Sequence, residues 1–133
     1  MNARILAATL LVLALGASAG MATAATPAEL LSAYARASGA TPSAERGRQL
    51  FGATHGREWS CSSCHGDRPT GTGRHAATGK SISPLAPAFN AQRFTEAAKV
   101  EKWYRRNCND VMGRECSAAE KADVLAWLVT LKP

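Results

Sequence analysis

The sequence predicts an all-α fold, because helix signals occupy both ends of the chain and turn signals occupy its middle. Four stretches pair a capping residue with apolar residues that recur every three to four positions, as in helices with one buried face. Residues 52–91 separate the second stretch from the third, and glycine and proline interrupt them repeatedly. Such a long loop is unusual in a small domain unless its residues pack on a bound cofactor. The length of 133 residues suits one domain.

Residues 1–24 have the pattern of a secretory signal peptide. Arg4 lies in a short basic segment, Ile5–Leu15 form an apolar segment, and small residues follow as far as Ala24. Two cleavage positions fit, and we favour the one after Ala24. The apolar run is shorter than a comfortable membrane span, and an uncleaved N-terminal anchor is the alternative. We therefore expect a mature domain at 25–133 in the periplasm, with no stable membrane span after cleavage.

The first predicted helix runs from Pro27 to Ser38. Thr26 can cap it, and proline suits its first position. Leu30, Leu31 and Tyr34 lie along one helical stripe. Its last residue precedes a glycine, which is a common helix stop.

The second predicted helix follows Thr41-Pro42-Ser43 and runs through Phe51. Gly47 in its interior costs about 1 kcal/mol relative to alanine. Because Gly47 and Phe51 are four residues apart, they share one face. We expect another helix to cross closely at this glycine, a tolerated surface glycine being the alternative.

Two further helices are predicted near the end of the chain. Thr95 can cap a helix that runs from Glu96 toward Asn107. Residues 117–120 form a Ser-Ala-Ala-Glu capping box for the last helix. The expected buried stripe of that helix consists of Val124, Leu125, Trp127, Leu128 and Leu131.

The segment Cys61-Ser62-Ser63-Cys64-His65 carries the chemistry of the chain. A Cys-x-x-Cys-His run is the attachment site of a c-type haem, in which two thiols add to the vinyl groups and histidine ligates the iron. A redox dithiol or half of a zinc site would need, respectively, a surrounding βαβ pattern or a second ligand pair. Neither pattern occurs. We therefore predict one covalent haem c on Cys61 and Cys64, with His65 as the proximal iron ligand.

The other two cysteines, Cys108 and Cys116, predict a disulfide. An even remainder of cysteines in an exported chain favours pairing. The short loop that the bond would close implies a stabilisation of only about 2–3 kcal/mol. We therefore consider a role for this disulfide beyond stability.

The formal net charge of +6 falls to about +5 once Arg4 is removed with the signal. In an exported haem protein this charge favours an acidic redox partner, such as another c-type cytochrome, or an anionic membrane surface. The compartment and the lack of a basic-aromatic recognition motif argue against nucleic acid.

The sequence contains several candidates for the second axial ligand of the haem iron. Met112 is the only methionine outside the export signal, and a Met/His pair would make an electron carrier that is closed to other ligands. His55 and His75 are also possible, although each lies in a polar segment where an exposed histidine is the simpler interpretation.

The arrangement of terminal helices around a haem motif resembles class I cytochrome c, in which N- and C-terminal helices cross beside the covalent haem. A narrower resemblance is to the sphaeroides haem protein (SHP) family of oxygen-binding, high-spin cytochromes c. It rests on six segments: Thr78–Pro87, Arg93-Phe94, Val100–Trp103, Arg106-Asn107-Cys108-Asn109, Gly113–Cys116 and Glu120–Asp123.

The SHP resemblance implies that Asn107 ligates ferric iron and leaves on reduction, and that Cys108 pairs with Cys116. Met112 replaces the aliphatic residue expected in that loop, so a Met112 ligand stays open. Further possible haem contacts are Lys80, Pro84 and Trp103, with Arg68 or Arg74 near a propionate.

The expected function is electron transfer coupled to binding of oxygen, carbon monoxide or nitric oxide at ferrous iron. Two alternatives are a small electron carrier ligated by Met112 and a haem enzyme that reduces oxygen, nitric oxide or peroxide. A ligand-binding carrier is favoured over a dedicated enzyme.

Overall fold

A computed structural model describes residues 24–133. Residues 1–23, which hold nearly all of the expected signal peptide, lie outside the described residues. The elements, in chain order, are α1 (Pro27–Ser38), α2 (Ala44–Gly52), α3 (Cys61–His65), β1 (Gly73–Arg74), β2 (Ser81–Ile82), a 3₁₀ turn (Pro87–Phe89), α4 (Ala97–Met112) and α5 (Ala118–Leu128). The predicted all-α class is confirmed, with one two-stranded ribbon added.

Side-chain caps determine where three helices begin, and those of α1 and α5 were predicted. The Thr26 hydroxyl accepts the N–H of Glu29 at the start of α1. The Ser43 hydroxyl accepts the N–H of Arg46 at the start of α2, and Ser117 starts α5 through its capping box. These side chains satisfy helix N–H groups that have no partner within the helix.

The first and last parts of the chain meet where α2 crosses α5. A Cβ atom at Gly47 would overlap the backbone carbonyl of Asp123, so the predicted close crossing is confirmed. Beside this crossing, the Asp123 carboxylate accepts the N–H of Ser43 at 2.6 Å and pairs with Arg46 at 2.7 Å. The fully buried large side chains around it include Phe51, Leu125 and Leu128.

The middle of the chain is less irregular than the sequence predicts. It contains α3, the 3₁₀ turn and an antiparallel ribbon in which Gly73 pairs with Ile82 and Arg74 with Ser81. A Cβ at Gly73 would overlap the Cys64 carbonyl, so the ribbon packs directly on the backbone of α3. These elements are too short to produce a periodic sequence pattern, which is why they were not predicted.

The helix that carries Asn107 differs from the prediction at both ends. Its N-cap is Glu96, because the Thr95 hydroxyl donates to the Gln92 carbonyl instead. It continues to Met112 and stops at Gly113, whose φ of 71° supplies a left-handed cap. Asn107 is therefore inside α4 rather than in its last turn, since no residue from 107 to 112 breaks a helix.

No helix within residues 24–133 is both long enough and apolar enough to cross a membrane.

Candidate haem-binding site

The helix α3 has only five residues and is held by a reciprocal cap. The Ser60 hydroxyl accepts the N–H of Ser63 at 3.2 Å, and the Ser63 hydroxyl accepts the N–H of Ser60 at 3.0 Å. Ser60 is buried, so these bonds also satisfy its polar atoms. The cap fixes Cys61 and Cys64 three residues apart on one helical face.

Neither cysteine of α3 forms a disulfide. Burial raises the pKa of Cys61 to about 11, which is opposite to the lowered pKa that activates redox cysteines. The Cys64 sulfur accepts the N–H of Ala76 at 3.2 Å. This environment favours covalent attachment to a prosthetic group over dithiol chemistry.

His65 is supported by aromatic side chains from both terminal parts of the chain. Its ring centroid lies 6.1 Å from that of Phe51, which lies 5.0 Å from that of Trp127. Burial, together with the charge of Arg93, lowers the pKa of His65 to about 4. The imidazole is therefore neutral at pH 7, which is the form that ligates a metal.

One face of α4 carries Asn107 and an exposed tryptophan. At 100° per residue, Val100, Trp103, Asn107 and Val111 form a single stripe. The two valines are buried, whereas Trp103 is 44% exposed and has the Arg106 guanidinium over its ring at 5.8 Å. Asn107 is exposed as well. An exposed indole and an exposed amide between two buried valines mark a contact surface.

Two contacts bring this part of α4 next to the haem motif. Tyr104 and Cys61 pack against the same hydrophobic core. Arg57, which precedes the motif, donates to the Asn109 carbonyl at 3.4 Å. Asn107 lies between these two contacts along the helix.

Met112 faces a different direction from Asn107. The five intervening steps turn the helix by 500°, which places the two side chains about 140° apart around α4. The Met112 sulfur lies 3.4 Å from the Cys116 sulfur, a van der Waals contact because a disulfide sulfur has no hydrogen to donate. The predicted Cys108–Cys116 bond is present, with the two Cα atoms 5.6 Å apart.

The remaining sequence candidates are distributed around the ribbon and the loops. His55 Nε2 lies 2.9 Å from the Leu50 carbonyl, and His75 Nδ1 accepts the N–H of Thr78 at 3.2 Å. Arg74 donates to the Gly79 carbonyl at 3.1 Å. Arg68 and Lys80 are exposed.

The Pro84 carbonyl already has two donors. It accepts from Arg93 Nε at 2.9 Å and from Asn90 Nδ2 at 3.4 Å. Sequence reasoning did not assign Arg93 a role beside His65. No local pattern could have indicated that Arg93 influences the pKa of His65, because the two residues are 28 positions apart in the chain.

The described residues fit a covalently bound haem. Two free thiols and a neutral imidazole lie on one rigid helix, and the segment of α4 beside them carries an amide and an exposed indole. Imidazole nitrogen and cysteine sulfur are the groups with which c-type haem is held.

Comparison with known proteins gives the same class. Residues 37–128 match a family model described as a domain of unknown function, DUF1924. The cytochrome c-type protein SHP of Cereibacter sphaeroides is 52% identical over 106 residues, which are 77% of this chain and 81% of SHP.

Two solved structures share the fold. Oxidized SHP, described as an oxygen-binding cytochrome c, has a TM-score of 0.75 and 50% identity, covering 80% of this chain and 97% of SHP. The solution structure of Methylophilus methylotrophus cytochrome c'', reported with the structural basis of haem-ligand detachment, has a TM-score of 0.71 and 34% identity. That match covers 80% of this chain and 94% of cytochrome c''.

The fold and the Cys-x-x-Cys-His helix thus define a c-type cytochrome of the class I type, with haem as its cofactor. Within that class, the chain belongs to the SHP family and carries the DUF1924 domain.

Proposed function

We propose that this chain is an exported monohaem cytochrome whose distal ligand is redox-labile. Cys61 and Cys64 hold the haem, His65 is the proximal ligand, and Asn107 ligates ferric iron and leaves on reduction. When bound, haem supplies an iron that alternates between ferric and ferrous states and can take a diatomic gas such as oxygen, carbon monoxide or nitric oxide.

The position of Asn107 is the observation that carries this proposal. It shares a helical stripe with the exposed Trp103. Along α4 it lies between Tyr104, which packs against the same core as Cys61, and Asn109, whose carbonyl accepts from Arg57. Met112 is turned away from that stripe and rests against the disulfide.

The chemistry of an amide suits a ligand that must leave. Its oxygen is a neutral, hard donor, which matches ferric iron better than ferrous iron. The side chain needs only to rotate for the oxygen to withdraw, while Cys108, the next residue, keeps the backbone tied to Cys116. The disulfide would thereby limit how far the ligand moves.

The relatives support both parts of the proposal. SHP is described as an oxygen-binding cytochrome c, and cytochrome c'' is associated with haem-ligand detachment. We extend these properties to the present chain because it matches most of the length of each relative.

The other predicted haem contacts complete the proposed site. Trp103 would cover the haem from α4, and Lys80 would approach a propionate together with Arg68 or Arg74. The Pro84 carbonyl would accept the ring N–H of His65 in place of its longer bond from Asn90, since a carbonyl oxygen has two lone pairs and both now have donors. That bond would fix the orientation of the ligand ring.

We place this cytochrome in the periplasm, where it would exchange electrons with another protein. Its formal charge of about +5 after loss of Arg4 favours an acidic redox partner, for which another c-type cytochrome is the natural candidate. The positive surface charge would guide association with the acidic partner rather than determine the affinity of the complex.

A spectroscopic comparison of two variants tests the proposal. We expect the reduced protein to have a high-spin spectrum that shifts on addition of carbon monoxide. Asn107→Ala should remove the sixth ligand of the ferric protein, whereas Met112→Ala should retain it. A low-spin reduced spectrum that ignores carbon monoxide, with loss of the ligand in Met112→Ala, would instead establish a His/Met electron carrier.

A further inference from the structure

Three sulfur atoms meet at the end of α4. Cys108 and Met112 are four residues apart, so their side chains lie on the same face of the helix. Cys116 returns to this face from the following loop, and its Sγ lies 3.4 Å from the Met112 Sδ. Cys108 and Cys116 are joined by the disulfide. A thioether, which oxidants attack, is therefore in direct contact with a disulfide, which thiols can open.

The Met112 side chain is accessible to a small oxidant. Met112 and Cys116 are half-buried, whereas Cys108 is only 4% exposed. An oxidant from solvent therefore reaches the thioether more readily than it reaches the Cys108 sulfur. The other two methionines, Met1 and Met21, belong to the predicted signal peptide, so Met112 would be the only thioether side chain of the mature sequence.

The loop that carries Cys116 is held by contacts other than the disulfide. The Arg114 guanidinium forms a two-pronged ion pair with Glu120, at 2.7 and 2.8 Å, and donates to the Glu115 carbonyl at 2.9 Å. Paired N–H···O bonds between a guanidinium and a carboxylate fix geometry as well as charge. We therefore expect Cys116 to stay beside Met112 when the disulfide is reduced to two thiols.

A sulfoxide at this position would lie beside the thiols that can reduce it. Hydrogen peroxide transfers one oxygen to a thioether, which becomes a sulfoxide, and the peroxide becomes water. The Cys116 thiol then attacks the sulfoxide sulfur, takes the oxygen as a sulfenic acid and restores the thioether of Met112. The Cys108 thiol condenses with the sulfenic acid, which forms the disulfide and releases water. The sulfoxide gains the two electrons that the thiols lose.

We propose that Met112 is a reversible oxidation site, and that Cys116 and Cys108 reduce its sulfoxide. The two thiols come from exchange of the disulfide with an external dithiol, which is itself oxidised. The 3.4 Å contact places the Met112 and Cys116 sulfurs within the range of about 3–3.5 Å that favours reaction between held groups. This inference does not depend on His65 or Asn107 acting as iron ligands.

The reduction of the sulfoxide can be followed by mass spectrometry on the haem-loaded protein. Peroxide treatment of the disulfide form should oxidise Met112, the only methionine outside residues 1–24. The disulfide is then reduced with a phosphine, which is removed without admitting air. We expect the intact mass to fall afterwards by one water, as the sulfoxide and two thiols become a thioether and a disulfide. A sulfoxide that persists beside the two thiols would overturn the proposal.

Two variants separate the roles of the cysteines. Cys116→Ser should keep the sulfoxide under the same treatment, because it lacks the thiol that contacts the Met112 sulfur. Cys108→Ser is the matched control, since it should lose the sulfoxide and hold a sulfenic acid at Cys116 that dimedone traps. Equal loss of the sulfoxide in the two variants would contradict the assigned order of attack.

A measurement on the native sequence covers the case in which a variant fails to fold. In denaturant the contact between Met112 and Cys116 is lost, so the sulfoxide should disappear at least about a hundredfold more slowly than in the folded protein. Folded protein whose thiols are alkylated before the incubation should keep its sulfoxide. Similar rates in folded and denatured protein, or loss of the sulfoxide after alkylation, would overturn the proposal.

Discussion

The backbone carbonyl of Asp123 on α5 lies where the side chain of residue 47 on α2 would otherwise be. The two helices approach so closely because residue 47 is glycine. This crossing joins the N-terminal helix that ends beside the haem motif to the C-terminal helix that carries Trp127. Through Phe51, it also supports the ring of His65.

Alanine at position 47 should therefore destabilise the protein strongly. The added methyl group would overlap backbone rather than a movable side chain, so the helices must separate, and we expect a loss of about 3 kcal/mol. Gly52→Ala is the matched control, because the same atom there meets nothing within 4 Å. It should change the free energy of unfolding by less than about 1 kcal/mol. Equal losses in denaturant titrations would contradict the close crossing.

The hydrogen bond from Tyr34 to Glu101 should contribute more than that of the neighbouring tyrosine. Tyr34 donates to the carboxylate at 2.6 Å, and Lys121 donates to the other carboxylate oxygen at 2.7 Å. The Tyr104 hydroxyl reaches only a neutral carbonyl, at 3.3 Å.

Because a hydrogen bond to a charged group is stronger, Tyr34→Phe should lower the free energy of unfolding by about 1.5–3 kcal/mol and Tyr104→Phe by about 1 kcal/mol. A double-mutant cycle with Glu101→Gln should show coupling for Tyr34. If both phenylalanine variants lost the same stability, this ranking would be wrong.

The carboxylate of Glu120 should contribute an acid-sensitive part of the stability. Hydrogen bonds from Arg114, and then from the Ser117 backbone, lower its pKa to about 2 from an ordinary value of 4.5. A lowered pKa in the folded state means that the contribution is present above about pH 4.5 and is lost as the pH falls toward 2.

Glu120→Gln should therefore be less stable than the native protein at pH 6, by about 1 kcal/mol for the weakened helix cap. The two stabilities should converge near pH 2. Comparing the two proteins at each pH removes the acid effects that they share. A difference that stays constant from pH 6 to pH 2 would exclude this contribution.

The Cys108–Cys116 bond should influence both stability and the proposed ligand. Replacing both cysteines with serine should lower the free energy of unfolding by about 2–3 kcal/mol, as expected for a short loop. Because Asn107 precedes Cys108, we also expect an altered ferric spectrum and midpoint potential. Reduction of the bond that changed neither ligand affinity nor potential would leave it only a stabilising role.

Much of the fold could be predicted from local signals. Thr26, Ser43 and Ser117 satisfy the N–H groups of the residues that follow them, so each helix start is encoded within a few residues. The α3 helix and the ribbon were not predicted, because their short lengths carry no periodicity. The end of α4 was placed too early, since a helix continues until a residue such as Gly113 provides a stop.

The candidate site also contains some residues that the sequence identifies and others that only the structure brings together. The sequence by itself determined the haem motif, because thiol spacing and the adjacent histidine are local features of Cys61–His65. It also determined the choice of disulfide, since only two cysteines remained.

Only the tertiary structure decided which groups surround that motif. It turned Met112 toward the disulfide, placed Asn107 on the stripe of α4 that carries the exposed Trp103, and packed Phe51 beside His65. These relationships depend on helix rotation and on contacts between residues far apart in the chain. Neither the rotation of a helix nor a contact between distant residues can be predicted from a local pattern, because both result from how the elements pack.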